Sequence, residues 1–138
     1  MKKTTLLFFA ILLSVFAFGQ DKKAKSNKTK IDIYYFHRTE RCNTCMSIEE
    51  NTNYVLENYF ADELKDGTIS FKSINFEGDA DKEIIEKYEA DGPSLFLTKV
   101  KKGKETTKNL TDFAFENSLY NAEKFNKGLR DNINKLLR

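Results

Sequence analysis

Hydrophobic positions along the chain recur with two different periods, and the periods predict the elements. Residues 31–36 (IDIYYF) are β-branched and aromatic with little alternation, as expected of a central strand covered on both faces. Ile48, Thr52, Val55, Leu56, Tyr59, Phe60 and Leu64 then advance in threes and fours, predicting one long helix that stops near Gly67. Residues 68–76 alternate, with a phase change around Ser73, and read as a second strand. Ala80, Ile84, Ile85 and Tyr88 set up a short helix beginning near Asp79 or Asp81. After the breakers Asp91, Gly92 and Pro93, residues 94–100 and 105–110 flank Lys102-Gly103 and predict an antiparallel hairpin. Phe125, Leu129, Ile133, Leu136 and Leu137 place a closing helix over Ala122–Leu137, in which Gly128 costs about 1 kcal/mol relative to alanine. Phe113 and Phe115 follow no regular period, and packing in the core or lining a partner groove are their two readings. The order strand, helix, strand, helix, strand, strand, helix defines an α/β domain. With same-handed crossovers it gives a four-stranded mixed sheet with flanking helices.

The first nineteen residues do not belong to that pattern. Lys2 and Lys3 precede an apolar run over residues 6–18, and Ala17 and Gly19 supply small residues, the pattern of a secretory signal peptide removed after Gly19. An uncleaved anchor would share this hydropathy and is the alternative. Residues 20–30 are polar and lysine-rich and read as a flexible leader, leaving 31–138 as one domain. An exported protein, periplasmic or extracellular, is expected. The chain carries 23 Lys and Arg against 21 Asp and Glu, a formal charge of +2 that excludes a strongly basic nucleic-acid binder. Since the leading segment holds two lysines and no acid, the remainder is formally neutral.

The candidate chemistry is Cys42-Asn43-Thr44-Cys45, placed where a buried strand gives way to a helix. On a first helical turn, residues three apart share a face, so the sulfurs can approach. The first thiol stands where free backbone N–H groups and the helix dipole favour an anion, which makes Cys42 the candidate nucleophile. Cys45, deeper in the helix, is then the resolving thiol. Arg41 and Arg38 add positive charge nearby. A permanent staple is the alternative in an exported chain, although closing so short a loop gains little stability. His37, the single histidine, could join Cys42 and Cys45 as a soft-metal ligand for zinc or copper(I), but three ligands fall short of a structural zinc site. Its plainer role is a hydrogen bond to local backbone at a strand end. Pro93, the only proline, opens a strand, a position that suggests a cis bond beside the dithiol.

With these two features in place the sequence resembles the thioredoxin-like superfamily over about residues 30–137, through Cys42-Asn43-Thr44-Cys45 after the first strand and Gly92-Pro93-Ser94 before the third. The resemblance implies a minimal thioredoxin core with Cys42 exposed and attacking, Cys45 shielded, and a cis Pro93 beside them. Thioredoxins with general reductase activity carry tryptophan before the first cysteine and Gly-Pro within the pair, where this chain has Arg41 and Asn43-Thr44. The string from His37 through Cys45 is also similar to small exported bacterial thioredoxin-like proteins labelled a nitrophenyl-compound nitroreductase subunit. Nitro reduction would require a partner that holds a flavin, because this chain has no glycine-rich cofactor fingerprint and no cofactor of its own is expected.

The resulting expectation is a thiol–disulfide oxidoreductase acting on protein or small-molecule thiols and disulfides, with electron flow in either direction and a membrane or flavin-containing redox partner. Gly92, Pro93, Arg38, Arg41, His37, Asn43 and Thr44 are its supporting residues. A copper(I) carrier or a non-catalytic thioredoxin-like adaptor is the competing class.

Overall fold

The computed structural model describes residues 27–138, so the expected signal segment and most of the expected leader lie outside the described residues. The elements are β1 (Lys30–His37), α1 (Asn43–Tyr59), α2 (Ala61–Lys65), β2 (Ile69–Asn75), α3 (Lys82–Lys87), β3 (Ser94–Lys101), β4 (Lys104–Asn109), α4 (Thr111–Asn117) and α5 (Ala122–Leu137). They form the four-stranded mixed sheet in the order β2-β1-β3-β4. β1 runs parallel to β2 and antiparallel to β3, and β4 pairs antiparallel with β3. The parallel pair requires a crossover, which α1 and α2 supply.

The core forms on one side of the sheet. Ile31, Ile33 and Tyr35 alternate along β1 and, with Leu95 and Leu97 of β3, meet Ile48, Val55 and Leu56 of α1 and Phe125, Leu129 and Ile133 of α5. All of these are at most 1% exposed. The other face is thinner. Tyr34, Phe36 and Phe96 converge on Tyr88, just after α3, with ring centroids 5.0–5.7 Å from it. Tyr88 also shares a 2.6 Å hydrogen bond with Thr98. Burial and the nearby Asp32 carboxylate push the Tyr34 hydroxyl up to about 12.

Three expectations need correction. The single long helix is two, broken at Phe60, whose φ of −137° leaves the helical region. At the break Phe60 is buried in the core and Leu64 packs against it. α4 is an additional element, in which Ala114 is buried while Phe113 stacks on Phe125 at 5.7 Å; Phe113 therefore packs on the core, whereas Phe115 is partly exposed. The leader also ends earlier than expected. Lys30 opens β1, and Lys28 reaches Asp66 at 2.7 Å, helping to hold that carboxyl at about 2.

Candidate functional site

β1 delivers the chain to the site through a short tethered loop. Asn75 donates to the Thr39 hydroxyl at 2.9 Å, and the Thr39 amide donates to Glu77 at 2.9 Å, so the end of β2 fixes the loop before Cys42. Cys42 is the N-cap of α1, with extended backbone (φ −77°, ψ 166°), and its sulfur accepts from the Cys45 amide at 3.4 Å. Asn43 is exposed on the first turn; Thr44 is half-buried, and its carbonyl accepts from Ser47 Oγ. Both cysteines are free thiols, Cys42 exposed and Cys45 buried, with sulfurs 3.0 Å apart.

This asymmetry separates their acidities. The Cys42 pKa is lowered, first by the hydrogen bond that the Cys45 thiol offers its thiolate, then by the Cys45 and Thr44 amides. The Cys45 pKa is raised, chiefly by burial and then by its bond to Cys42. The guanidinium groups are engaged elsewhere. Arg38 lies over the Phe76 ring at 6.0 Å, while Arg41 pairs with Glu49, donates to the Cys45 carbonyl at 3.2 Å and covers the Tyr35 ring at 5.6 Å. The neighbouring thiol and the helix amides, rather than the arginines, account for the lowered pKa.

Beneath Cys45 lies a group that periodicity alone did not single out. Tyr35 is fully buried on the core face of β1, and its hydroxyl donates to the Cys45 carbonyl at 2.9 Å. A hydroxyl within a hydrocarbon face needs a partner, and that requirement is the signal the sequence offered. The hydroxyl also favours the Cys45 thiolate, partly offsetting burial. Tyr35→Phe is therefore expected to raise the Cys45 pKa further, because the hydroxyl that favours its thiolate is lost. Alkylation of Cys45 against pH in a Cys42→Ser background measures this, and an unmoved midpoint would show that the hydroxyl acts on the carbonyl alone.

The remaining expected residues divide by position. The His37 ring nitrogen Nδ1 lies 2.8 Å from the Arg38 carbonyl, so it bonds local backbone. Among the described residues no three His, Cys, Asp or Glu side chains converge on a metal position, and the set Cys42, Cys45 and His37 does not assemble. Gly92 and Pro93 lie at the same end of the sheet as the dithiol, because Ser94 pairs with Phe36 near the end of β1. The Gly92–Pro93 bond is trans, correcting the cis expectation. Pro93 precedes β3 rather than lying within it, so its missing N–H removes no ladder bond and the usual trans preference stands. The groove of about 490 Å³ that contains Gly92 and Pro93 is lined by neither cysteine.

Strand order and site together define an α/β domain of thioredoxin-like topology in which a CxxC dithiol opens the first helix. No family model matches the chain, and no curated protein matches it. Among solved structures it is similar to a thioredoxin from Fasciola hepatica at 17% identity, covering 79% of this chain and 83% of that one, with a TM-score of 0.45. It is also similar to a malarial protein at 13% identity, covering 66% of this chain and 98% of that one, with a TM-score of 0.40. None of these comparisons carries the nitrophenyl-compound label suggested by the string from His37 through Cys45.

Proposed function

We propose that this protein exchanges thiols and disulfides in an exported compartment, with Cys42 as nucleophile and Cys45 as resolving thiol. The observation that carries the reading is an exposed N-cap sulfur of lowered pKa, 3.0 Å from a buried sulfur of raised pKa. The Cys42 thiolate attacks one sulfur of a partner disulfide, forming a mixed disulfide and expelling the second sulfur as a thiolate that takes up a proton. Cys45 then loses its proton and attacks Cys42 Sγ, closing the Cys42–Cys45 disulfide and releasing the partner's other thiolate. Two electrons and two protons pass to the partner in total. Run backwards, the same steps oxidise a partner dithiol, and the compartment's potential sets the direction.

Export is supported by the composition of the first nineteen residues, and the oxidising compartment it implies suits a dithiol that cycles. A membrane or flavin-bearing protein would then return the electrons, since no cofactor fingerprint lies in this chain. Alkylation of the reduced protein against pH tests the reading. Cys42 is expected to react first, with a midpoint below that of a free thiol, and Cys45 only at higher pH. A free-thiol midpoint for Cys42, or equal reactivity of the two, would refute it.

A further inference from the structure

We propose that the end of the domain opposite the dithiol is a docking face for an anionic lipid bilayer. β1 begins at this end with Lys30, which pairs with Val100, while its far end leads to Cys42. In the β3–β4 register Lys99 faces Thr106 and Lys101 faces Lys104, so these side chains stand on one face of the hairpin. Together with Lys102 and Leu136 they line a cleft of about 550 Å³. Lys99, Lys101, Lys102 and Lys104 make no ion pair among the described residues. Glu105, the acid on β4, pairs with Lys87 at 2.6 Å. Lys135, in the last turn of α5, and Arg138 add charge next to Leu136 in the chain.

Protection of an exposed sheet edge explains part of this charge, since lysines on β4 discourage strand addition. It does not explain Lys99 and Lys101, which belong to β3, a strand paired on both sides. Nor does it explain Lys102, which sits at the tip with φ 53° beside Gly103 at φ 75°. A two-residue turn with both angles positive prefers Asn or Gly at that position, so the tip keeps a lysine against local backbone preference. The cleft has no aromatic lining residue on which a nucleic-acid base could stack. It offers instead half-buried Leu136 among lysines, of which Lys101, Lys102 and Lys104 are exposed, a composition that suits a headgroup layer. The eight residues of β1, at about 3.3 Å each, separate the face from the dithiol by roughly 25 Å, leaving Cys42 in water when the face is docked.

Co-sedimentation of the full chain with phosphatidylcholine vesicles, and with mixed phosphatidylcholine–phosphatidylglycerol vesicles, tests the proposal. Any apolar run left at residues 6–18 would bind both vesicles alike, so the ratio of the two is the readout. Preference for the anionic vesicles is expected, lost at high salt. Lys102→Asn, which restores a favoured turn residue, is expected to lower that preference about fivefold, and combining it with Lys99→Gln, Lys101→Gln and Lys104→Gln by roughly two orders of magnitude or more. Lys82→Gln and Lys124→Gln should leave it unchanged, and Cys42 should alkylate at the same rate on and off the vesicles. Equal binding to both vesicles, a preference untouched by the hairpin variants, protection of Cys42 on docking, or a preference for single-stranded RNA over anionic vesicles would each overturn the proposal.

Discussion

Replacing Cys45 by alanine is expected to leave Cys42 holding its partner as a persistent mixed disulfide. In the native protein the second sulfur waits 3.0 Å from the first, so resolution is intramolecular. Well-oriented intramolecular reactions reach effective concentrations far above those of any dissolved thiol, and removing Cys45 should lengthen the life of the intermediate by on the order of a thousandfold or more. The same substitution removes the thiol whose hydrogen bond is the main cause of the lowered Cys42 pKa. The variant's alkylation midpoint should therefore rise toward that of a free thiol, and capture is best performed at mildly alkaline pH. Cys42→Ser should capture nothing. Non-reducing gel shifts of both variants with a model disulfide protein report the result. A Cys45→Ala chain that retains no partner while the native chain exchanges disulfides would remove the assigned roles, and so would a Cys42→Ser chain that exchanges as fast as the native one.

Gly128→Ala is expected to destabilise the domain, reversing the sign that helix propensity alone assigns. Alanine is favoured over glycine within a helix by about 1 kcal/mol. A Cβ at this position, however, would collide with the Phe113 ring, meeting Cζ and lying 2.7 Å from Cε2. That ring is stacked on fully buried Phe125 and packed against the core, so it has little room to withdraw. Overpacking of this kind costs about 1–3 kcal/mol, and the net loss should be visible as a lower denaturation midpoint at unchanged denaturant slope. Phe113→Leu removes the obstructing ring atoms, and in that background Gly128→Ala should become neutral or favourable. A stabilised single variant would show that α4 yields at this contact.

These two expectations also separate what could be read along the chain from what could not. The closing helix was legible to its boundaries because a five-residue apolar stripe on a 16-residue element outweighs one glycine. Gly128 itself was misread as a defect, since its reason lies in a ring fifteen positions away on α4. That helix left no period of its own: its seven residues include Phe113 and Phe115 two apart, only the first of which packs on the core. The break at Phe60 was hidden for a similar reason, because the apolar spacing continues smoothly through it.

The site divides in the same way. Cys42 and Cys45 were legible because their spacing, at the junction of an apolar strand and an amphipathic helix, is a local property of the sequence. Tyr35, Arg41 and Glu49 meet around the Cys45 carbonyl only once β1 and α1 have packed, so the roles of the arginine and the tyrosine were beyond reach of spacing. The trans geometry at Pro93 was equally a matter of where β3 begins. What the sequence determined alone is what short-range periodicity encodes: the four strands in order, the principal helices between and after them, and two thiols on one helical turn. What only the tertiary structure decided is which sulfur is exposed, what sets its acidity, why Gly128 is glycine, and which lysines gather at the far end. Each of these depends on distances between residues brought together by burial, and such distances have no local signature in the chain.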